Sequence, residues 1–451
     1  METRLEHIKA FILTAALVAA QAIAQPAVQN GGTPPAPPVE DLVAAALEAS
    51  PSLAAARFRL AAAREAITAA GALPNPMVEV MLQDVSFPKY TVGTMEMSMI
   101  GPEVRQEIPY PGKRRAASDV ARADAEIRAQ ELDLLRRQLA AEVRSLYGRV
   151  YALDQEREAL SAARELLDLL ATTAATRYSV GQTEQEAVIK AQLEATRLEE
   201  RSDDLEAERA ALVAALNGAL DRSGAASLGP VTALPTVTVP ADPWEDAVLA
   251  SSAAVAEKRA EVAAAERRLD LGRTALRPDF TTGAAVGLRG GFDPVVTLRF
   301  GIELPLWRNK KERPLIRAAE HELETARAEL RTAEAAARSD AARLRADWER
   351  TGKQIVRYRE AVLPQSSSAI DAARSSYLAG RGDFSTVVED FRTWLEARSE
   401  LARREADRFA TWAELSALVE TALPDHNTGS AQPIGSDVSI EEAASGSRGG
   451  R

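Results

Sequence analysis

At 451 residues the chain is long enough for two or three globular domains, and a formal charge of −11 argues against nucleic acid as a partner. Aromatic residues make up 5% against 46% hydrophobic, so alanine and leucine carry the apolar surface, which suits thin helical layers better than one deep core. Cysteine is absent, excluding disulfides, thiolate zinc sites and a lipidated N-terminal cysteine, and of the three histidines His7 lies in the N-terminal apolar segment, His321 on a charged helical pattern and His426 in a polar tail, so a His-based metal centre or triad within one chain is not expected.

Residues 1–24 read as a secretory signal. Arg4 and Lys9 precede the apolar run AFILTAALVAA, and AIA before Gln25 is an A-x-A cleavage site. A Pro-rich segment follows over 25–38. The first of two similar units then spans 39–225. It reads as a helix broken near Pro51, strands over 76–87 and 103–109, a long helix from about Lys113 to Tyr178, and a helix to about Leu220.

A Gly- and Pro-bearing linker covers 226–243, and the same order recurs over 244–423. A helix spans 244–275, strands lie near 279–289 and 294–305, a long helix runs from about Asn309 to Tyr377, and another reaches about Leu423. Glu107/Glu303 and Pro109/Pro305 match at a spacing of 196, and Tyr178/Tyr377 at 199. The pattern is one duplication of a helix-strand-strand-helix-helix unit. The remainder, 424–451, has the composition of a disordered tail.

The long helices carry heptads: Leu132, Leu139, Leu146, Leu153, Leu160 and Leu167 in the first unit, Ile316, Leu323, Leu330, Ala337 and Leu344 in the second. At 1.5 Å per residue each rod reaches roughly 95–100 Å. The strands alternate: Val296, Leu298, Phe300, Ile302 and Leu304 interleave with Thr297, Arg299, Gly301 and Glu303. Such runs fit a membrane barrel, or equally a sheet half covered by helices in water. Four strands cannot close a transmembrane barrel, whose smallest examples have about eight, so in lipid two or three chains must share one.

The duplicated Y-x-x-G turns, the two proline-terminated strands, the repeated element order and LPNP before the first strand together resemble the TolC family of outer-membrane efflux channels, over about residues 39–423. The resemblance implies a mainly α protein with a small membrane β part, assembled as a homotrimer. A twelve-stranded barrel in the outer membrane of a Gram-negative bacterium would continue into a coiled-coil α-barrel across the periplasm. It implies a periplasmic adaptor and an inner-membrane RND pump as partners, and outer-membrane lipid around the strands. QEIPYPGKR resembles most the subgroup serving heavy-metal pumps, whereas drug efflux and type I protein secretion use the same fold. A soluble periplasmic coiled-coil scaffold is the reading from another class. No nucleophile, base and orienting partner stand together, so neither catalysis nor a cofactor is expected.

Site residues follow by resemblance. The adaptor-docking tips fall on Tyr178, Ser179, Val180, Gly181 and Gln182, and on Tyr377, Leu378, Ala379, Gly380 and Arg381. The family's acidic ring at the pore entrance falls on Glu389, with Asp390 beside it and Asp383 earlier, while its outer position is Thr386 here. Pro109, Pro111, Gly112 and Pro305 are strand-to-helix joints: proline ends a ladder and fixes φ for the turn. Met95, Met97 and Met99, at alternate positions in MEMSM, could offer soft thioether ligands, or could simply face lipid or fill space.

Overall fold

The same break occurs near the start of both halves. In the computed structural model, which describes residues 34–86, 88 and 90–419, helix α1 (Val39–Ala49) and helix α2 (Pro51–Gly71) meet at Ser50. The Ser50 hydroxyl accepts from the Leu53 amide at 3.4 Å, and Pro51 occupies the first helical position, where a missing N–H costs nothing. The second half has α5 (Trp244–Ser251) and α6 (Ala253–Thr274), joined at Ser252, whose hydroxyl accepts from Val255 at 3.4 Å. The single helix expected over 244–275 is therefore two. A serine cap breaks it without proline. The signal segment, most of the Pro-rich lead, His426 and the tail lie outside the described residues.

Helix α3 (Lys113–Ser179) has 67 residues, a rod of about 100 Å, and α4 (Gln185–Ala219) returns along it. The heptad leucines are buried or half-buried throughout. The equivalent rod of the second half is not continuous. It comprises α7 (Glu312–Arg357), a π turn (Tyr358–Val362) and α8 (Leu363–Leu378), followed by α9 (Phe384–Leu418). Pro364 explains the interruption: its ring collides with the carbonyl four residues earlier, and the wider π turn makes room. Helices α2, α4, α6 and α9 all pack on α3. No described helix is long and apolar enough to cross a membrane.

Four strands form one antiparallel sheet in chain order: β1 (Met77–Gln83), β2 (Met99–Ile108), β3 (Asp279–Arg289) and β4 (Phe292–Glu303). The β2–β3 pair, in register from Ile108/Phe280 to Ile100/Leu288, joins the two halves, leaving β1 and β4 as open edges. The first strand stops at Gln83 rather than near 87, because Asp84 turns to φ 49° and its carbonyl is taken by the Ser98 hydroxyl at 2.6 Å. The second strand starts at Met99, four residues earlier than the alternation suggested, because pairing with Gln83 extends it.

The two largest apolar clusters lie at different levels of the helical layer. One surrounds Trp412, with Val143, Tyr147, Val150 and Phe409, and the linker closes over it through Val231 and a bond from Trp412 Nε1 to the Thr238 carbonyl at 3.1 Å. Another, toward the helical hairpin ends, unites Leu160, Leu167, Leu170, Leu198, Ile370, Tyr377 and Phe391.

Candidate functional site

The sheet has two unlike faces. One presents Val78, Val80, Leu82, Val104, Val286, Leu288, Val296, Leu298, Phe300 and Ile302, all exposed, Phe300 by 83%. The other carries Glu79, Glu103, Arg105, Thr297 and Arg299, where Arg299 reaches Glu103 at 2.5 Å and Arg105 reaches Glu79 at 3.3 Å. An antiparallel sheet in water turns its apolar face to a core, whereas none of the described residues covers this one.

The joints are built differently in the two halves. After Ile108 the chain passes Pro109 and Pro111 and enters α3 through Gly112, at φ 102°, a conformation that suits glycine. Asp279 at the start of β3 clamps this turn: it accepts from the Tyr110 amide at 2.7 Å and pairs with Lys113 at 2.6 Å. In the second half Arg308 stands where Gly112 did. The turn after Pro305 is longer, with Lys311 donating to the Trp307 carbonyl at 3.0 Å, so α7 begins at Glu312 rather than Asn309.

The two Y-x-x-G turns end their helices alike. Gly181 and Gly380 lie at φ 73° and 75°, and the amides of Gln182 and Arg381 return to the carbonyls of Arg177 and Ser376 at 2.8 and 3.0 Å. The fold brings these turns together. Arg177 Nη2 donates to the Leu378 carbonyl at 2.8 Å, and its guanidinium lies 4.9 Å from the Tyr377 ring centroid. The matched tyrosines differ: Tyr178 is 47% exposed, while Tyr377 is 2% exposed, edge-on to Phe384 at 5.6 Å, its phenol held above its usual pKa by burial. Ser179, Val180, Gly181, Gln182, Ala379, Gly380 and Arg381 form the exposed ends.

Asp383 precedes α9 and is exposed, as are Thr386 and Glu389, with Asp390 half-buried, so three of the four present one exposed stretch near the tip. The three methionines of MEMSM have different surroundings. Met95 and Met97 sit exposed in consecutive turns after Val92, and only Met99, buried to 6% exposure, is on a strand. The Thr91 and Ser98 hydroxyls, bonded to each other at 2.8 Å, draw the ends of this loop together.

The family model of the outer membrane efflux protein matches residues 42–222 and 244–420. The chain belongs to the outer membrane efflux protein family. Its fold is that of solved channels. The outer membrane protein VceC of Vibrio cholerae superposes with a TM-score of 0.71 at 19% identity, covering 84% of this chain and 95% of that one. CusC gives 0.73 at 16%, covering 87% and 95%, and the open-state MtrE channel of Neisseria gonorrhoeae gives 0.70 at 17%, covering 85% and 88%. No curated protein matches the sequence. Mainly helical with four antiparallel strands, this outer membrane efflux protein has the architecture that its duplicated pattern implied.

Sequence reasoning missed the carboxylates that tie the hairpins together. Glu194 on α4, 5% exposed, pairs with Arg392 on α9 and Arg197, and Glu156 on α3 holds Arg201 at 2.7 Å and Arg403 of α9 at 3.0 Å. Asp154 binds Arg209 at 2.6 Å and accepts from the Val231 amide at 2.9 Å, fastening the linker to the rod. Lys190 links the tips a second time, reaching Ser385 at 2.7 Å, and Glu186 hydrogen-bonded to it raises its pKa. Charge-rich helices hide such pairs, since a carboxylate in a solvated stripe and one facing another helix look the same in sequence.

Proposed function

We propose that the protein is the outer-membrane channel subunit of a tripartite efflux system, passively conducting substrates from a periplasmic adaptor and an RND pump to the exterior. The observation that carries this reading is the four-stranded sheet with an uncovered apolar face and two open edges. Open edges in hydrocarbon cost several kcal/mol per unpaired group, so the strands require copies of themselves. Three copies give twelve strands, with the apolar faces toward lipid and the charged faces lining a lumen. The rods then continue the conduit inward, and their length of about 100 Å suits a periplasmic span.

In this reading the paired tips, Tyr178 to Gln182 and Tyr377 to Arg381, receive the adaptor. Asp383, Glu389 and Asp390, repeated around the axis, form a charge ring that favours cations at the entrance. The substrate class we favour is heavy-metal cations, on the resemblance of QEIPYPGKR and on the acidic entrance. Isolating outer membranes from a Gram-negative host and weighing the solubilised oligomer tests the architecture. A membrane-embedded trimer is expected, and a soluble monomer or dimer overturns the channel. Metal sensitivity of a deletion strain tests the substrate, with unchanged tolerance to copper, silver and zinc counting against it.

A further inference from the structure

The sheet contains three methionines, Met77, Met81 and Met99, and the strand register places all three on the charged face. None stands on the apolar face, which takes valine, leucine, isoleucine and phenylalanine. A methionine serving as filler or lipid contact belongs among those residues, where burying its thioether in hydrocarbon is favourable. On the charged face the other large apolar side chain of the four strands is Val295. The segregation is the reverse of what packing alone would produce.

The local geometry suits a soft ligand pair. Met81 pairs with Gly101 and Gln83 with Met99, so Met81 and Met99 are diagonal cross-strand neighbours, about 7–8 Å apart at their backbones and within reach through flexible side chains. Met77 lies four residues along β1, roughly 13 Å away on the same face. Glycine makes room for the thioether: a Cβ at Gly287 would overlap the Met99 sulfur. Arg299 Nη2 lies 3.5 Å from Met81 Sδ, orienting that sulfur, while the Arg299 charge is matched by Glu103 at 2.5 Å. Glu79, Glu103, Glu107 and Glu303 outnumber Arg105 and Arg299 on this face, which favours cations over anions.

We infer that Met81 and Met99, with Met77 beyond them, form a thioether contact for soft monovalent cations, Cu(I) or Ag(I), on the lumenal wall of the barrel. Thioether sulfur selects such ions over hard divalent ones. The contact rests on the channel reading, because only in a barrel does the charged face line a passage. It shares only Met99 with the MEMSM trio: Met95 and Met97 sit in exposed turns and take no part.

The trimer in lipid nanodiscs, equilibrated with Ag(I) and assayed by mass spectrometry of the metal, tests it. The Met81→Leu/Met99→Leu double variant keeps side-chain volume and should bind Ag(I) at least tenfold less tightly than the wild type. The Met95→Leu/Met97→Leu variant should bind as the wild type does, with circular dichroism and oligomer mass confirming that both fold. Equal binding by the wild type and the Met81/Met99 variant, or loss in the Met95/Met97 variant instead, overturns the inference. A conducting trimer indifferent to Ag(I) removes the thioether contact and leaves the channel standing. A chain that forms no membrane trimer removes both.

Discussion

Arg177 and Leu378, 201 residues apart, meet at the ends of the two helical hairpins, where the guanidinium donates to the carbonyl at 2.8 Å. The contact fastens one half of the duplication to the other at its most exposed point, helped by the Tyr377 ring beneath the cation. An exposed bond of this kind contributes on the order of 1 kcal/mol, small against the whole fold but local to the tip.

Arg177→Met should therefore loosen the tips without unfolding the rods. Planar-bilayer recordings are expected to show higher conductance or more frequent opening than the wild type, with melting temperature nearly unchanged. Identical recordings from the two proteins would mean that the latch does not restrain the tips.

Gly181 and Gly380 have positive φ, and no neighbouring atom lies within 4 Å of a Cβ built on Gly181. Gly181→Glu adds strain of about 1–2 kcal/mol and a charge where an adaptor would dock, so efflux should be lost while trimers assemble. Gly181→Asn, which tolerates the left-handed conformation better, should keep more of it. Full efflux with the glutamate in place would falsify docking at this turn.

Asp154 is buried with Arg209 and holds the linker by the Val231 amide. Asp154→Ala leaves the Val231 amide unpartnered and the Arg209 guanidinium with only the Leu228 and Gly229 carbonyls, and should cost about 3 kcal/mol, read as a lowered melting temperature of the detergent-solubilised protein. Arg157, an exposed partner at 3.8 Å, should cost well under 1 kcal/mol when replaced by alanine.

Glu257 on α6 titrates above the ordinary glutamate range, chiefly because it is partly buried and further because Glu261 and Glu131 lie near. Its folded-state pKa exceeds the unfolded one, so its favourable contribution is fully present below the unfolded value and is lost as pH rises through the folded one. Glu257→Gln should accordingly melt higher than the wild type at neutral pH, and the gap should close below about pH 4. A gap independent of pH would assign the effect to packing instead.

Phe300→Arg on the apolar face should impair insertion, costing about 2–4 kcal/mol if it sits near mid-bilayer, whereas Thr297→Arg on the opposite face should leave insertion intact. The ratio of membrane to soluble protein reads both. Equal insertion of the two variants would argue against lipid on the apolar face.

Much of this architecture is legible in the sequence because it is local. Leucines at heptad spacing, prolines after alternating runs, and Y-x-x-G at a spacing of 199 each act over a few residues. What escapes is what depends on a partner element. Ser252 breaks a helix by a cap that looks like any serine. Pro364 was visible, yet the helix tolerates it through a π turn instead of ending. The methionines of MEMSM stand out in the sequence, but their spacing does not say which of them joins the sheet. Only the pairing of Gln83 with Met99 shows which thioethers share a face. Arg177, beside the Y-x-x-G motif, carries no signal until Leu378 is placed next to it.

The two open edges belong to different strands, β1 and β4, so closure of the proposed barrel would be head-to-tail: every copy would offer one kind of edge and accept the other. A copy with one spoiled edge can still join a neighbour through the sound one, and thereby leaves the ring unclosed. In a ring of three, equal expression of spoiled and sound chains would leave only about one assembly in eight wholly sound, so such a variant should poison the wild type rather than merely fail beside it.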